Sequence, residues 1–158
     1  MPSQISLRRL HEIIQVLAEW EDHHQHEFDV AGRRYGEPAP QEVIPVLNEV
    51  LVRLHALPLA TGTFFSYVYD FGAHWETEVK VEKITSPDPR VLYPLVLGGG
   101  RAFPPEDSGG PARYQALLAA LADPGQPQRE TYHTSIGEAF EPERFDLEET
   151  NRRLQLLQ

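Results

Sequence analysis

His23, His24 and His26 form the densest imidazole cluster in the chain. If the backbone is already extended there, His24 and His26 project to one side, because alternate residues of a strand share a face. Imidazole and carboxylate ligands together suit zinc or manganese. Asp70, Glu106 and Asp107 are the carboxylates placed to complete such a set, as a cation site or as an acid/base group. Each also has an ordinary structural use. The histidines can pack where a helix gives way to a strand. Asp70, two residues before Gly72, can accept backbone N–H bonds in a turn, and Asp107 can cap the helix that Pro111 helps to start. Trp75, Tyr67 and Tyr69 could stack nucleobases, but their alternation with acidic neighbours fits sheet packing. Gly98-Gly99-Gly100-Arg101 lacks the continuation of either phosphate-binding fingerprint.

The 158 residues carry 24 acidic side chains against 14 basic ones, a net charge of -10. Residues 1–79 hold 5 basic and 12 acidic groups and residues 80–158 hold 9 and 12, so neither half offers a basic stripe. Duplex DNA is therefore disfavoured, since affinity for it rests on cations that neutralise phosphates. A partner with a basic surface is favoured. The absence of cysteine excludes disulfides, thiolate metal sites and cysteine nucleophiles. No window has the composition of a membrane span or a secretory signal, and a cytoplasmic location is expected.

These residues must be positioned by a modest set of elements. Leu7, Leu10, Ile13, Ile14, Leu17 and Trp20 recur at helical spacing, with Arg8, Arg9, Glu12, Gln15 and Glu19 opposite and Ser6 as a cap. Glu27 to Gly36 predicts a short hairpin turning at Ala31-Gly32. Residues 43–57 fit a helix or a strand equally well. Thr63 to Phe71 and Trp75 to Thr85 predict an antiparallel hairpin with one wet face, and Val91 to Leu97 a further strand. Residues 98–111 contain five Gly and three Pro and form a long loop. Helices follow at 112–122, at 130–135 and from Asp146, whose side chain caps with Glu149 three residues on.

Three segments carry a resemblance: Tyr67-Val68-Tyr69-Asp70-Phe71-Gly72 with Trp75; Pro104-Pro105-Glu106-Asp107 with Gly109-Gly110-Pro111 and Tyr114; and Phe145-Asp146-Leu147 with Asn151. Leu7, Leu10-His11, Ile14-Gln15, Trp20, His24, His26, Phe28 and Tyr35-Gly36 fit the same pattern upstream. The chain resembles the plasmid pRiA4b ORF-3-like family, which includes insertion-element passenger proteins of a TnpR type. The resemblance implies an α+β domain found with plasmids, phages and mobile elements, and no established activity. Members usually begin with a further strand, and its apparent loss here would leave an open sheet edge able to pair with a second copy. Ala73, Thr77, Phe103 and Ala112-Arg113 stand where the family usually has Asp, His, Cys and Trp-Gly.

The expected architecture is one α+β domain over residues 1–158: an antiparallel, rolled sheet around the 63–85 hairpin, with an N-terminal helix and C-terminal helices packed on it. The expected function is that of a binding or interaction module with its surface at Asp70, Trp75, Glu106 and Asp107. The alternative is a metal-dependent enzyme using His24 and His26 with those carboxylates and a divalent metal, and the third is nucleic-acid binding.

Overall fold

The protein is described by a computed structural model. It describes residues 1–39, 44–123, 125, 127, 131 and 140–157. Helix α1 spans Leu7–Ala18. Ser6 caps it by accepting the Arg9 N–H at 3.1 Å, and Glu19, in the left-handed region at φ 58°, ends it. Its inner face buries Leu7, Leu10, Ile13, Ile14 and Ala18 as the periodicity requires, and His11 and Gln15 as well. Gln15 thus leaves the polar face assigned to it, because it has buried hydrogen-bond partners.

Strand β1 (His26–Val30) and strand β2 (Arg33–Gly36) form the expected hairpin. Ala31 and Gly32 both take positive φ, 54° and 75°, as a tight two-residue hairpin turn demands. The Asp29 carboxylate accepts the Gly32 N–H at 2.9 Å. Residues 44–57 prove to be mostly turn. They hold strand β3, only Leu47–Asn48, and a single 3-10 turn at Leu54–Ala56. Strand β4 (Phe64–Tyr69) and strand β5 (Trp75–Lys80) make the central hairpin.

The five strands lie in the order β3-β2-β1-β4-β5. Every pairing is antiparallel except β2 with β3. The sheet is thus mixed rather than purely antiparallel, because β3 runs alongside β2 in the same direction. One face receives α1 and closes a core of Leu7, Leu10, Ile14, Ala18, Trp20, Phe28, Val30, Tyr35, Phe65, Tyr67, Tyr69 and Trp75.

Val91 to Leu97 is not a strand. Pro94 has no N–H to give a ladder, and the backbone of Val96 is paired instead by Asn151, whose carboxamide accepts its N–H at 2.8 Å and donates to its carbonyl at 3.0 Å. β5 likewise stops at Lys80, beyond which the Val81 N–H donates to the Thr63 carbonyl and the Val81 carbonyl accepts the Gly62 N–H. Helix α2 covers Pro111–Ala122 and helix α3 Leu147–Gln155. α3 is capped by Asp146 as expected, but Glu149 turns to Arg152 and Arg153 rather than back to the cap. The helix expected at 130–135 falls almost wholly outside the described residues. No helix among the described residues is long and apolar enough to cross a membrane.

Candidate functional site

Two polar assemblies meet the segment joining α1 to β1, one open to solvent and one buried. The first is open to solvent. His24 Nε2 lies 2.8 Å from Asp107 and its Nδ1 3.9 Å from Asp70. Asp70 ends β4 at φ 54°, and its Oδ1 accepts the N–H groups of Gly72 and Ala73. This is the turn-holding role anticipated for it. Asp107, at φ 61°, reaches His24 and does not cap α2, whose N-cap is Gly110 without a side-chain bond. The expectation that Asp107 caps that helix is therefore corrected: Ser108 and Gly109 stand between it and the cap, and its carboxylate is held by the imidazole. Asp tolerates the left-handed region because its side chain is short and polar. The side chains of His24, Asp70 and Asp107 are 31%, 16% and 71% exposed.

Glu106 faces the same segment, and its two oxygens are committed to holding the chain. Oε2 accepts the Glu21 N–H at 2.6 Å, while Oε1 accepts the Tyr69 hydroxyl and the His23 N–H. Burial, and then the bond to Glu106, push the Tyr69 hydroxyl above its ordinary pKa. Trp20 stacks on Tyr69 with ring centres 4.6 Å apart and donates Nε1 to the Pro104 carbonyl at 2.8 Å. The Pro104 to Asp107 loop is thus fastened to the connection that follows α1 and to β4. Trp75 is turned inward, 8% exposed, with its ring edge-on to Tyr114 of α2. The expectation that it belongs to the exposed surface is corrected: its ring joins the core.

Gly110, at φ 86°, completes the joint. A Cβ there would stand 2.7 Å from the Ala73 carbonyl oxygen. Gly110→Ala is expected to cost about 1–3 kcal/mol from backbone strain alone, with further loss as α2 is pushed from the β4–β5 turn. Thermal unfolding of the variant measures it.

Asp107 hydrogen bonding, opposed by slight desolvation and aided by the charges of Asp70, Asp107 and Glu106, raises the pKa of His24. The stabilising contribution of this pairing is complete below the ordinary histidine value of about 6.5 and is lost as pH rises through the raised value. In Asp107→Asn the His24 ring should titrate at lower pH than in the wild type. Histidine ring NMR reads this directly.

The second assembly is buried. His11 is 0% and His26 9% exposed, and their rings stack with centres 3.5 Å apart at 11°. Asp22 gives its backbone N–H to Gln15 Oε1 at 3.0 Å, so the Gln15 Nε2 end donates to the Tyr67 hydroxyl, also at 3.0 Å. Tyr67 in turn donates to His11 Nδ1 at 2.8 Å, and His11 Nε2–H donates to Asp22 at 2.9 Å. That chain of donors fixes the neutral tautomer of His11. His26 Nε2 bonds Glu49 at 2.9 Å. Arg8 reaches both carboxylates, Asp22 at 2.8 Å and Glu49 at 3.7 Å.

His24 and His26 therefore part company: one meets Asp70 and Asp107, the other Glu49 and His11. His11, Gln15, Asp22, Glu49 and Tyr67 were not singled out from the sequence as a group. Leu10-His11 within the apolar stripe of α1 was the available signal, since an imidazole on a buried helical face needs partners. A cleft of about 430 Å³ lies between the end of α1, residues 101–106, residues 140–146 and α3. It reaches Glu106 but not His24, Asp70 or Asp107.

The family model for plasmid pRiA4b ORF-3-like proteins matches residues 1–149. The chain belongs to that family. The pRiA4b ORF-3-like segments around Asp70, Glu106 and Asp146 are those that build the open site and cap α3. The chain is similar to the uncharacterised protein y4hQ of Sinorhizobium fredii, 37% identical over 125 residues, covering 78% of this chain and 64% of that one. The chain thus spans less than two thirds of that relative's length. It also resembles the crystal structure of MM3350 from Methanosarcina mazei Go1, a protein of unknown function, with 32% identity and a TM-score of 0.85 over 94% of this chain and 85% of that chain. The pRiA4b ORF-3-like chain accordingly shares its fold with MM3350.

Proposed function

We propose that this chain is a binding module which recognises a partner with a basic surface through the face formed by residues 19–25, the Asp70–Trp75 turn and the 103–110 loop. The observation that supports this reading best is the meeting of His24, Asp70 and Asp107 from three separate segments at a site open to solvent. Glu21, 76% exposed on the same face, adds to its acidity, and like charges gathered on one surface steer oppositely charged partners. The setting is the cytoplasm of a cell carrying a plasmid or mobile element, in keeping with the family.

The test is affinity capture from the native host with the wild type, a Glu21→Lys/Asp107→Lys double variant, and Glu78→Lys on the outer strand β5 as a control. A specific partner should be kept by the wild type and the control and lost by the double variant. Equal capture by all three would refute the face. A second reading rests on the ligand atoms of His24, Asp70 and Asp107, which lie within 4.8 Å of one another: the face takes a divalent cation, as a metal-dependent enzyme would need. Native mass spectrometry after adding zinc or manganese should then show one retained ion, absent from Asp107→Ala, and a spectrum that stays metal-free removes this reading.

A further inference from the structure

We propose that the stacked imidazoles of His11 and His26 form an acid-sensitive joint beneath the binding face, which holds residues 19–25 in place while His11 is neutral and releases them when His11 takes up a proton. Its regulatory consequence rests on the binding-face reading, but the joint itself is a property of the free chain.

Geometry carries the inference. Tyr67 has one hydroxyl proton, and the orientation of Gln15 leaves His11 Nδ1 as its acceptor. A proton added at Nδ1 would face the Tyr67 hydroxyl donor. Tyr67, 0% exposed, would have to turn its O–H away from the only acceptor given to it among the described residues. The added charge would also lie against the His26 ring, 3.5 Å away between centres. A buried donor without an acceptor is costly, and the Asp22 carboxylate, the close counter-charge at 2.9 Å, is already shared with Arg8.

The groups facing His11 come from every element around it. Arg8 and Gln15 stand on α1, Asp22 on the connection, His26 on β1, Glu49 in the turn after β3, and Tyr67 on β4. Asp22 and Glu49 favour the proton, while His26 and Arg8 oppose it. Burial outweighs all of them and lowers the His11 pKa to about 4.

The same network ties this joint to the surface. Asp22 is bonded to His11 by its side chain and to Gln15 by its backbone, and two residues further on stands His24, which meets Asp107. Local opening that frees His11 would therefore loosen the segment presenting His24. The two histidines answer pH with opposite sign. His24 grips its carboxylate more firmly as pH falls, whereas His11 begins to favour the opened segment. Each must accordingly be read separately.

For a group whose folded pKa is depressed, full stability holds above the unfolded value of about 6.5 and is lost as pH falls toward the folded value. The opening equilibrium of the segment should rise about tenfold for each pH unit between about 6.5 and 4, as uptake of one proton requires. The experiment uses the free full chain. Histidine ring NMR follows His11 from pH 7.5 to 4, and amide hydrogen exchange, corrected for its intrinsic pH dependence, compares Asp22, His23 and His24 with β4. The expected result is a His11 ring still neutral at pH 6 and protection at Asp22 to His24 that falls before that of β4. In His11→Gln the selective fall should vanish.

A His11 ring titrating near 6.5 with unchanged protection at Asp22 to His24 would overturn the proposal. So would a His11→Gln chain that keeps the wild-type pH dependence. If that variant does not fold, the wild-type ring titration and exchange data decide alone. No partner enters either measurement, so failure here is separate from failure to capture one.

Discussion

Trp20→Ala is expected to lower the unfolding free energy by about 3–5 kcal/mol, the usual range for removing a large buried aromatic. The side chain is only 7% exposed, and it makes more than one kind of contact. Its indole stacks on Tyr69, meets Phe103 edge-on with centres 5.8 Å apart, and donates to the Pro104 carbonyl. Truncation removes the stack, opens a cavity between α1 and the 103–107 loop, and leaves that carbonyl to water. Trp20→Phe separates these contributions, since it retains a ring against Tyr69 and forfeits the hydrogen bond, itself worth about 0.5–1.5 kcal/mol. Urea unfolding of both variants measures the difference. A loss below about 1 kcal/mol for Trp20→Ala would mean that the loop is held without this residue.

Tyr67→Phe should cost about 2–4 kcal/mol, although it deletes a single oxygen atom. The hydroxyl accepts from Gln15 and donates to His11, and all three side chains are buried. Its removal strands the Gln15 amide donor and the His11 Nδ1 acceptor, each worth about 1–3 kcal/mol when left unpaired in the interior. Burial pushes the Tyr67 hydroxyl well above its ordinary pKa, so it remains a neutral donor throughout the accessible pH range. Adding Gln15→Leu to Tyr67→Phe should recover part of the loss, because it removes the stranded Gln15 amide donor, while the Asp22 N–H that Gln15 Oε1 accepted belongs to an exposed residue and can turn to water. Failure of that second change to recover anything would show that cavity formation, rather than an unpaired group, sets the cost. Urea unfolding at pH 7.5, where His11 is neutral in both states, keeps the comparison free of proton linkage.

Elements with a strong local signal were legible before the structure. The apolar stripe of α1 and its Ser6 cap, the Ala31-Gly32 turn, and the aromatic alternation of β4 all follow from propensities that act within a few residues. Val91 to Leu97 reads as a strand for the same reason and is none, because hydrophobicity does not reveal that Asn151, far along the chain, occupies the backbone of Val96. Residues 44–57 were ambiguous for a related reason. Their path is set by pairing with Gly36 and with the start of α1, through bonds such as Leu7 N–H to the Val52 carbonyl, and not by any period of their own.

The α+β class, the family, the identities of the candidate carboxylates and imidazoles, and the acidic character were all legible in the residues alone. Those properties are carried by composition, by short-range periodicity and by motifs whose residues are close in the chain. Which histidine belongs with which acid was set by packing between distant segments. His24 and His26, separated by a single residue, end in different assemblies, the first partly open with Asp70 and Asp107 and the second buried with Glu49 and His11. The physical reason is that each of these contacts spans many residues of chain. Such contacts depend on how α1 seats on the sheet and how the 103–110 loop folds back over it, and on which side chains that packing leaves in need of partners.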